Sequence, residues 1–208
     1  MIFIILGLPG SGKGTQAEKL AKTYNIPHIS IGEMYRKIAK EQTEFGQKIR
    51  EIMNKGELIP DEISNEIIKD RVLKPDCIGG FILDGYPRTM RQVKGLEEFA
   101  KPDVVIYLDV PEKEIIKRLS NRRVCPNCGA NFNLITNPPK KDEICDFCGS
   151  KLTWREDDKP EAIRTRIKVQ SEKMKPVLEY YKNNGKLVTI NGNQPVDKVF
   201  EEIRSKLK

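Results

Sequence analysis

Near the N-terminus, Gly7-Leu8-Pro9-Gly10-Ser11-Gly12-Lys13-Gly14-Thr15 joins glycines, one lysine and hydroxyls directly behind a short apolar run. Glycines admit left-handed backbone, so successive N–H groups can converge on phosphate oxygens. A helix opening at Lys13 would add its N-terminal partial charge to the full charge of the lysine. A tight strand-to-helix turn without a ligand is the plain alternative, but strand, loop, lysine and helix in register point to a phosphate cradle. One detail departs from the general pattern. Most such loops carry Ser or Thr directly after the lysine to ligate magnesium, whereas here Gly14 follows Lys13 and the hydroxyl comes at Thr15. The metal must be held otherwise.

A second constellation is Cys125-Pro126-Asn127-Cys128 with Cys145-Asp146-Phe147-Cys148, a C-x2-C-x16-C-x2-C pattern. That spacing fits a zinc site of four thiolates. Zinc so held has no position open to substrate, which makes its role structural. Gly129 and Gly149 follow the two pairs and are expected to let backbone N–H groups turn toward sulfur. Two disulfides or free thiols are the alternatives, and iron can occupy the same ligands. Binding with all four thiols ionised takes the formal charge from +7 to about +5. Cys77 lies outside the pattern and reads as a small packed residue.

These groups need a scaffold. Apolar runs at 2–6, 27–30, 80–84, 103–109 and 186–190 show little alternation, as expected of parallel strands covered on both faces. Between them, Ala17, Leu20, Ala21 and Tyr24 form a helical stripe, as do Phe45, Ile49, Ile52 and Met53, and Val196, Val199, Phe200, Ile203 and Leu207. The alternation predicts an α/β fold of three layers with right-handed crossovers. Two segments stand outside it: a helical one near 31–59, and one near 122–158 that holds the four cysteines and little regular pattern.

The composition narrows the class. In 208 residues no stretch approaches the roughly 20 apolar positions of a membrane span, and the run at 2–6 lacks the basic flank of a signal peptide. A cytoplasmic protein is expected. The net charge of +7 comes with scattered lysines but with arginines bunched between Arg118 and Arg166, which suits a compact polyanion better than a nucleic-acid track. A zinc-ribbon ATPase acting on nucleic acid is a distant alternative, disfavoured by Asp142, Glu143 and Asp146 in the ribbon.

The chain resembles the adenylate kinase family from end to end. The resemblance is carried by Gly12-Lys13-Gly14-Thr15-Gln16, by Ser30-Ile31-Gly32-Glu33-Met34-Tyr35-Arg36, and by Leu83-Asp84-Gly85-Tyr86-Pro87-Arg88-Thr89 with Gln92. Arg122-Arg123 and Arg155-Glu156-Asp157-Asp158 continue it in the family's order and spacing. It implies the reaction of Mg·ATP with AMP to give two ADP, a five-stranded parallel core, and two mobile insertions. Their expected extents are 30–59 for the AMP-binding insertion and 122–158 for a zinc-containing lid, leaving 1–29, 60–121 and 159–208 as the core.

Carried over by position, Gly10, Ser11, Gly12, Lys13, Gly14 and Thr15 would hold ATP phosphates, Arg122 would close on them, and Asn131, Phe132 and Gln194 would meet the ATP end. Ile31, Arg36, Glu57, Leu58, Ile59, Gly85, Tyr86, Pro87, Arg88 and Gln92 match the AMP side, with Arg155 and Arg166 reaching in from the lid side. Asp84 matches the residue that holds magnesium through water. Ile31 stands where the family usually has Thr, which removes a hydroxyl from the base site and leaves a UMP- or CMP-type kinase as the alternative. The expected partners are the nucleotides alone, acting on a monomer, with neither nucleic acid nor membrane.

Such a transfer brings two polyanions together, and unit charges 4 Å apart interact by about 4 kcal/mol at an effective dielectric near 20. Lys13, Arg88, Arg122, Arg155 and Arg166 are the candidates to offset this, since guanidinium grips phosphate bidentately and keeps its proton. No general base is required, because the acceptor phosphate is already an oxyanion. Of the rest, His28 reads as packed or capped and Trp154 as a cover over the lid hinge.

Overall fold

The computed structural model describes residues 1–207, apart from the Glu156 side chain. Five strands form one parallel sheet in the order β2-β3-β1-β4-β7, with β1 at Ile2–Leu6, β2 at His28–Ser30, β3 at Phe81–Asp84, β4 at Val104–Asp109 and β7 at Leu187–Asn191. Each expected strand is present within one residue at either end. The chain steps from β1 outward to β2 and later to the opposite side with β4, so a crevice opens at the carboxyl ends of the strands.

Successive residues of β1 point to opposite faces, and both faces are dry. Phe3 and Ile5 join Ala17 and Leu20 of α1 (Lys13–Tyr24) and Val199 and Ile203 of α8 (Val196–Lys206). Ile4 and Leu6 join the other layer, formed by α4 (Asp61–Val72), α5 (Met90–Glu97) and α7 (Pro160–Asn183), through Ile68, Val93, Leu96 and Val177. The three layers expected from the alternation are therefore observed. α6 (Glu112–Ser120) rests on α7 through Ile115, Leu119, Ile163 and Ile167.

Register decides what the crevice contains. Asp84 at the end of β3 pairs with Ile5 of β1 and with Ser30 of β2. The carboxylate thus stands beside the loop that leaves β1, and Gly12 at φ 91° turns that loop into α1 at Lys13.

The segment between β2 and β3 folds as α2 (Ile31–Ile38) and α3 (Glu44–Lys55) before α4 begins. Within the expected stripe of α3, Ile49 is fully buried but Phe45 is 43% exposed. Phe45 lies in the first turn of α3. Val196 similarly sits in the first turn of α8 and is 48% exposed. The segment that follows α6 has more order than its pattern suggested: β5 (Arg122–Val124) and β6 (Asn131–Asn133) form an antiparallel hairpin. Bridges between Val124 and Thr153 and between Ile144 and Lys151 extend it. Strands of three residues are too short for alternation to be legible.

Candidate active site

Lys13 opens α1 and its Nζ lies 3.4 Å from the Leu8 carbonyl. Burial lowers its pKa to about 8; the positive charges of Arg88, Arg166 and Arg122 push the same way, and Asp84 opposes them. The Ser11 hydroxyl is buried and finds no hydrogen-bond partner among the described residues. Behind it, Arg118 donates to the Ser11 and Gly192 carbonyls at 3.4 and 3.1 Å and pairs with Glu114. Arg118 therefore braces the loop, a role that its surroundings in sequence did not reveal.

Asp84 is 6% exposed. A Cβ built on Gly14 would stand 3.4 Å from its Oδ2, so a carboxylate from β3 stands beside the position where the usual hydroxyl would be. Oδ1 of Asp84 is buried without a donor among the described residues. An anionic oxygen so placed suits a hydrated magnesium ion, and no protein ligand crowds it. His28 is a correction to the sequence reading. Rather than packing idly, its Nε2 lies 3.3 Å from Asp84 Oδ2. Burial acts on both groups against charge, yet their mutual contact prevails: the His28 pKa is raised and the Asp84 pKa, helped by Lys13, is lowered.

On the expected AMP side, Ile31 is 1% exposed and packs with Tyr35 and Ile59. Its Cγ2 lies 3.8 Å from the Cβ position of Gly85. Tyr35 donates to Ser64 Oγ at 2.6 Å, tying α2 to α4. Glu57 is exposed, Leu58 half-buried and Ile59 buried. Tyr86 is buried, and its hydroxyl lies 2.7 Å from Asn65 Oδ1 and 3.2 Å from the Gln92 carbonyl, tying the loop after β3 to α4 and α5. Pro87 is buried. Arg88 Nε donates to the Gly85 carbonyl at 2.6 Å, while burial lowers the Arg88 pKa. The Gln92 side chain accepts from Arg88 N at 2.7 Å and donates to Asp61 Oδ1 at 2.8 Å. Asp61 was absent from the sequence reading.

The remaining arginines meet tandem aspartates. Arg122 Nε and Nη2 reach the two oxygens of Asp158 at 2.7 and 2.5 Å. Arg166 Nη1 reaches Asp158 Oδ1 and Asp157 Oδ2 at 3.1 Å each. Arg155 donates to Asn131 Oδ1 at 2.6 Å, and its pKa falls to about 9 through burial and the neighbouring Arg122 and Arg36. Arg36 is lowered too, by burial. Arginines that depress one another's pKa inside a crevice store repulsion that a polyanion would relieve.

Two expected ATP-side residues have side chains with protein partners. The Phe132 side chain is 4% exposed and packs with Cys125, Cys145 and Leu152, 6.1 Å from the Phe147 ring. Gln194 donates both to the Asn191 carbonyl and to Glu202 at 2.9 and 2.8 Å, leaving its oxygen free. Thr15 is exposed.

The sulfurs of Cys125, Cys128, Cys145 and Cys148 all lie within 4.8 Å of one another. Tetrahedral zinc with bonds of about 2.3 Å needs sulfurs roughly 3.8 Å apart, and the Cys125–Cys148 and Cys128–Cys145 separations are 3.3 and 3.5 Å. The four residues fit the ion. Gly129 and Gly149 have φ of 78° and 73°; their own N–H groups go to the Cys125 and Cys145 carbonyls at 3.0 Å each, and the turns direct the following Ala130 and Ser150 N–H groups at the Cys128 and Cys148 sulfurs, as expected. The Cys128 N–H likewise lies 3.5 Å from Cys125 Sγ. Trp154 is 55% exposed, with the Arg123 guanidinium 4.7 Å from its ring centroid, a contact between the two ends of the cysteine-bearing segment.

The two segments outside the core touch each other. Lys40, just past α2, donates to the Pro126 carbonyl in the first cysteine loop at 3.3 Å. Gly56 caps α3 at φ 76° and lies so close to α7 that a Cβ would come within 2.7 Å of the Ala162 carbonyl.

A family model described as adenylate kinase matches residues 5–186. The adenylate kinase of Thermosipho africanus is 50% identical over 208 residues, covering 98% of this chain and 97% of its own. Those of Methanosarcina barkeri and Oceanobacillus iheyensis are 49% and 46% identical, each covering 100% of this chain and 99% of theirs.

Proposed function

The chain belongs to the adenylate kinase family, and from that premise we propose that its phosphate cradle and arginine cluster carry the reversible transfer of a phosphoryl group from Mg·ATP to AMP, giving two ADP. The observation that carries the assignment to this site is electrostatic. Burial brings Lys13 down to about 8, and the charges of Arg88, Arg166 and Arg122, gathered round the same cradle, add to that push. A fold keeps such a cluster for a ligand of high negative charge.

ATP phosphates occupy the turn of Gly10, Ser11, Gly12, Lys13, Gly14 and Thr15, where backbone N–H groups and the orphaned Ser11 hydroxyl meet their oxygens. AMP lies between α2 and the loop of Gly85, Tyr86, Pro87 and Arg88, its phosphate facing Arg36 and Arg88. Asp84 would hold magnesium through water, and the bound ion would supply charge neutralisation at the phosphate oxygens. Lys13, Arg88, Arg122, Arg155 and Arg166 stabilise the equatorial oxygens as charge spreads, and Asp157 and Asp158 surrender the guanidinium groups they hold to the phosphates. Position and field suffice, because the acceptor oxygen arrives ionised.

Segments 30–59 and 122–158 act as the acceptor insertion and the lid, excluding water that would otherwise accept the phosphoryl group. Zinc in the four-cysteine site stiffens the lid and takes no part in the chemistry. The working form is a cytoplasmic monomer whose partners are ATP, ADP and AMP; among the described residues no helix is long and apolar enough to cross a membrane. A coupled assay of ADP formation across AMP, CMP, UMP and GMP tests the reading. AMP should lead, with Lys13→Met as the inactive control, and a pyrimidine acceptor in first place overturns it.

A further inference from the structure

The Gln92 carboxamide is held at both ends. Its Oε1 accepts from the Arg88 backbone N–H at 2.7 Å and its Nε2 donates to Asp61 Oδ1 at 2.8 Å. A backbone N–H only donates and a carboxylate only accepts. The two partners therefore agree on a single orientation for a group whose oxygen and nitrogen are otherwise nearly alike in shape. A flipped amide would set NH2 against N–H and oxygen against carboxylate, losing both bonds. At 2% exposure, Gln92 has no solvent to compensate for that loss.

Each end keeps one unused capacity, a lone pair on Oε1 and a hydrogen on Nε2. Together they present an acceptor beside a donor. Adenine offers the complement, its exocyclic N6–H2 beside the N1 acceptor, and cytosine repeats that order with N4–H2 and N3. Guanine, hypoxanthine and uracil reverse it, with a carbonyl oxygen beside a ring N–H. Ile31 sharpens the consequence: a hydroxyl there could serve as donor or acceptor to either class, but an isoleucine serves neither. The rotational state of one amide is then what separates the two classes of base.

We propose that Asp61 is a positioning residue for acceptor selection, locking the Gln92 amide so that the site takes amino-bearing bases and rejects their oxo counterparts. This rests on the assignment of Gln92 to the AMP side. Asp61 begins α4, and its carboxylate is the only one hydrogen-bonded to Gln92 among the described residues. The distinction between adenine and cytosine falls to the size of the slot.

The test compares kcat/KM for AMP and for IMP, which differ at the base only in that edge. In Asp61→Asn the new side chain can offer NH2 as well as oxygen, so the Asp61 end no longer opposes a flipped amide and only the Arg88 N–H does. The AMP-to-IMP ratio should fall by about tenfold or more, through loss on AMP and gain on IMP, while KM for ATP stays at the wild-type value. Asp61→Glu, which keeps the acceptor-only partner, should retain more of the ratio. A folded Asp61→Asn enzyme with the wild-type ratio overturns the inference alone. Wild-type protein that makes no ADP from AMP overturns the functional reading and this inference with it. If Asp61→Asn does not fold, Asp61→Ser is measured in the same way. Near-equal use of AMP and IMP by the unaltered enzyme overturns the lock without any variant.

Discussion

Asp158 grips Arg122 with both carboxylate oxygens, at 2.7 and 2.5 Å, across 36 positions of sequence. The same carboxylate, 1% exposed, also takes Arg166 at 3.1 Å, so one side chain joins the β5 hairpin to α7. Removing one partner of a buried pair leaves charge without compensation and costs about 3 kcal/mol. Asp158→Ala should lower the melting temperature of the nucleotide-free protein and reduce kcat by at least about tenfold. A dinucleoside pentaphosphate bridging both sites should restore much of the lost Tm, since phosphates replace the carboxylate. Equal Tm deficits with and without that ligand would show that Asp158 does not stand in for phosphate.

Lys13 carries its proton below about pH 8 and loses it above. Because the charged form is the one that meets phosphate, kcat/KM for ATP should decline as pH rises through that value in the free enzyme. Bound phosphates favour the ammonium ion, so the matching decline in kcat should come at higher pH. Lys13→Arg, with its fixed charge, should lose the inflection whatever its absolute rate. A kcat/KM profile flat from pH 7 to about 10 would remove Lys13 as the titrating group.

Zinc removal should act on the four-cysteine segment. With all four sulfurs within 4.8 Å, chelation should release one zinc ion and expose four thiols to a thiol reagent, with Cys77 buried and slow to react. Tm should fall, and added zinc should restore it. A stoichiometry other than one metal to four thiols would contradict a closed four-thiolate site.

Gly56 is required by both its left-handed backbone and its 2.7 Å approach to the Ala162 carbonyl. Gly56→Ala adds about 1–2 kcal/mol of backbone strain and lifts α3 away from Arg166. KM for AMP should rise severalfold, with KM for ATP much less affected. Unchanged Michaelis constants would mean that α3 does not seat on α7 during turnover.

The sequence disclosed most of what is local. Five apolar runs became five strands, and the glycine loop with Lys13 lies where β1 meets α1, because both signals are contiguous. Asp84 was legible as a strand-end acid in a recognisable motif. His28 was not, because its partner is set by the register of β2 on β3, 56 residues away. Asp157 and Asp158 were visible as a pair of acids behind an arginine, but their work depends on α7 delivering Arg166 beside them. Asp61 resembled any acid in the first turn of a helix. The packing of Phe132 was not legible either, because the small core that takes its ring forms only when the two distant cysteine pairs meet.

The 3.3 Å bond from Lys40 to the Pro126 carbonyl ties the helical segment after β2 to the first cysteine loop across 86 positions of sequence. Under the proposed function these segments are the acceptor insertion and the lid, so that bond would couple the opening of one to the opening of the other.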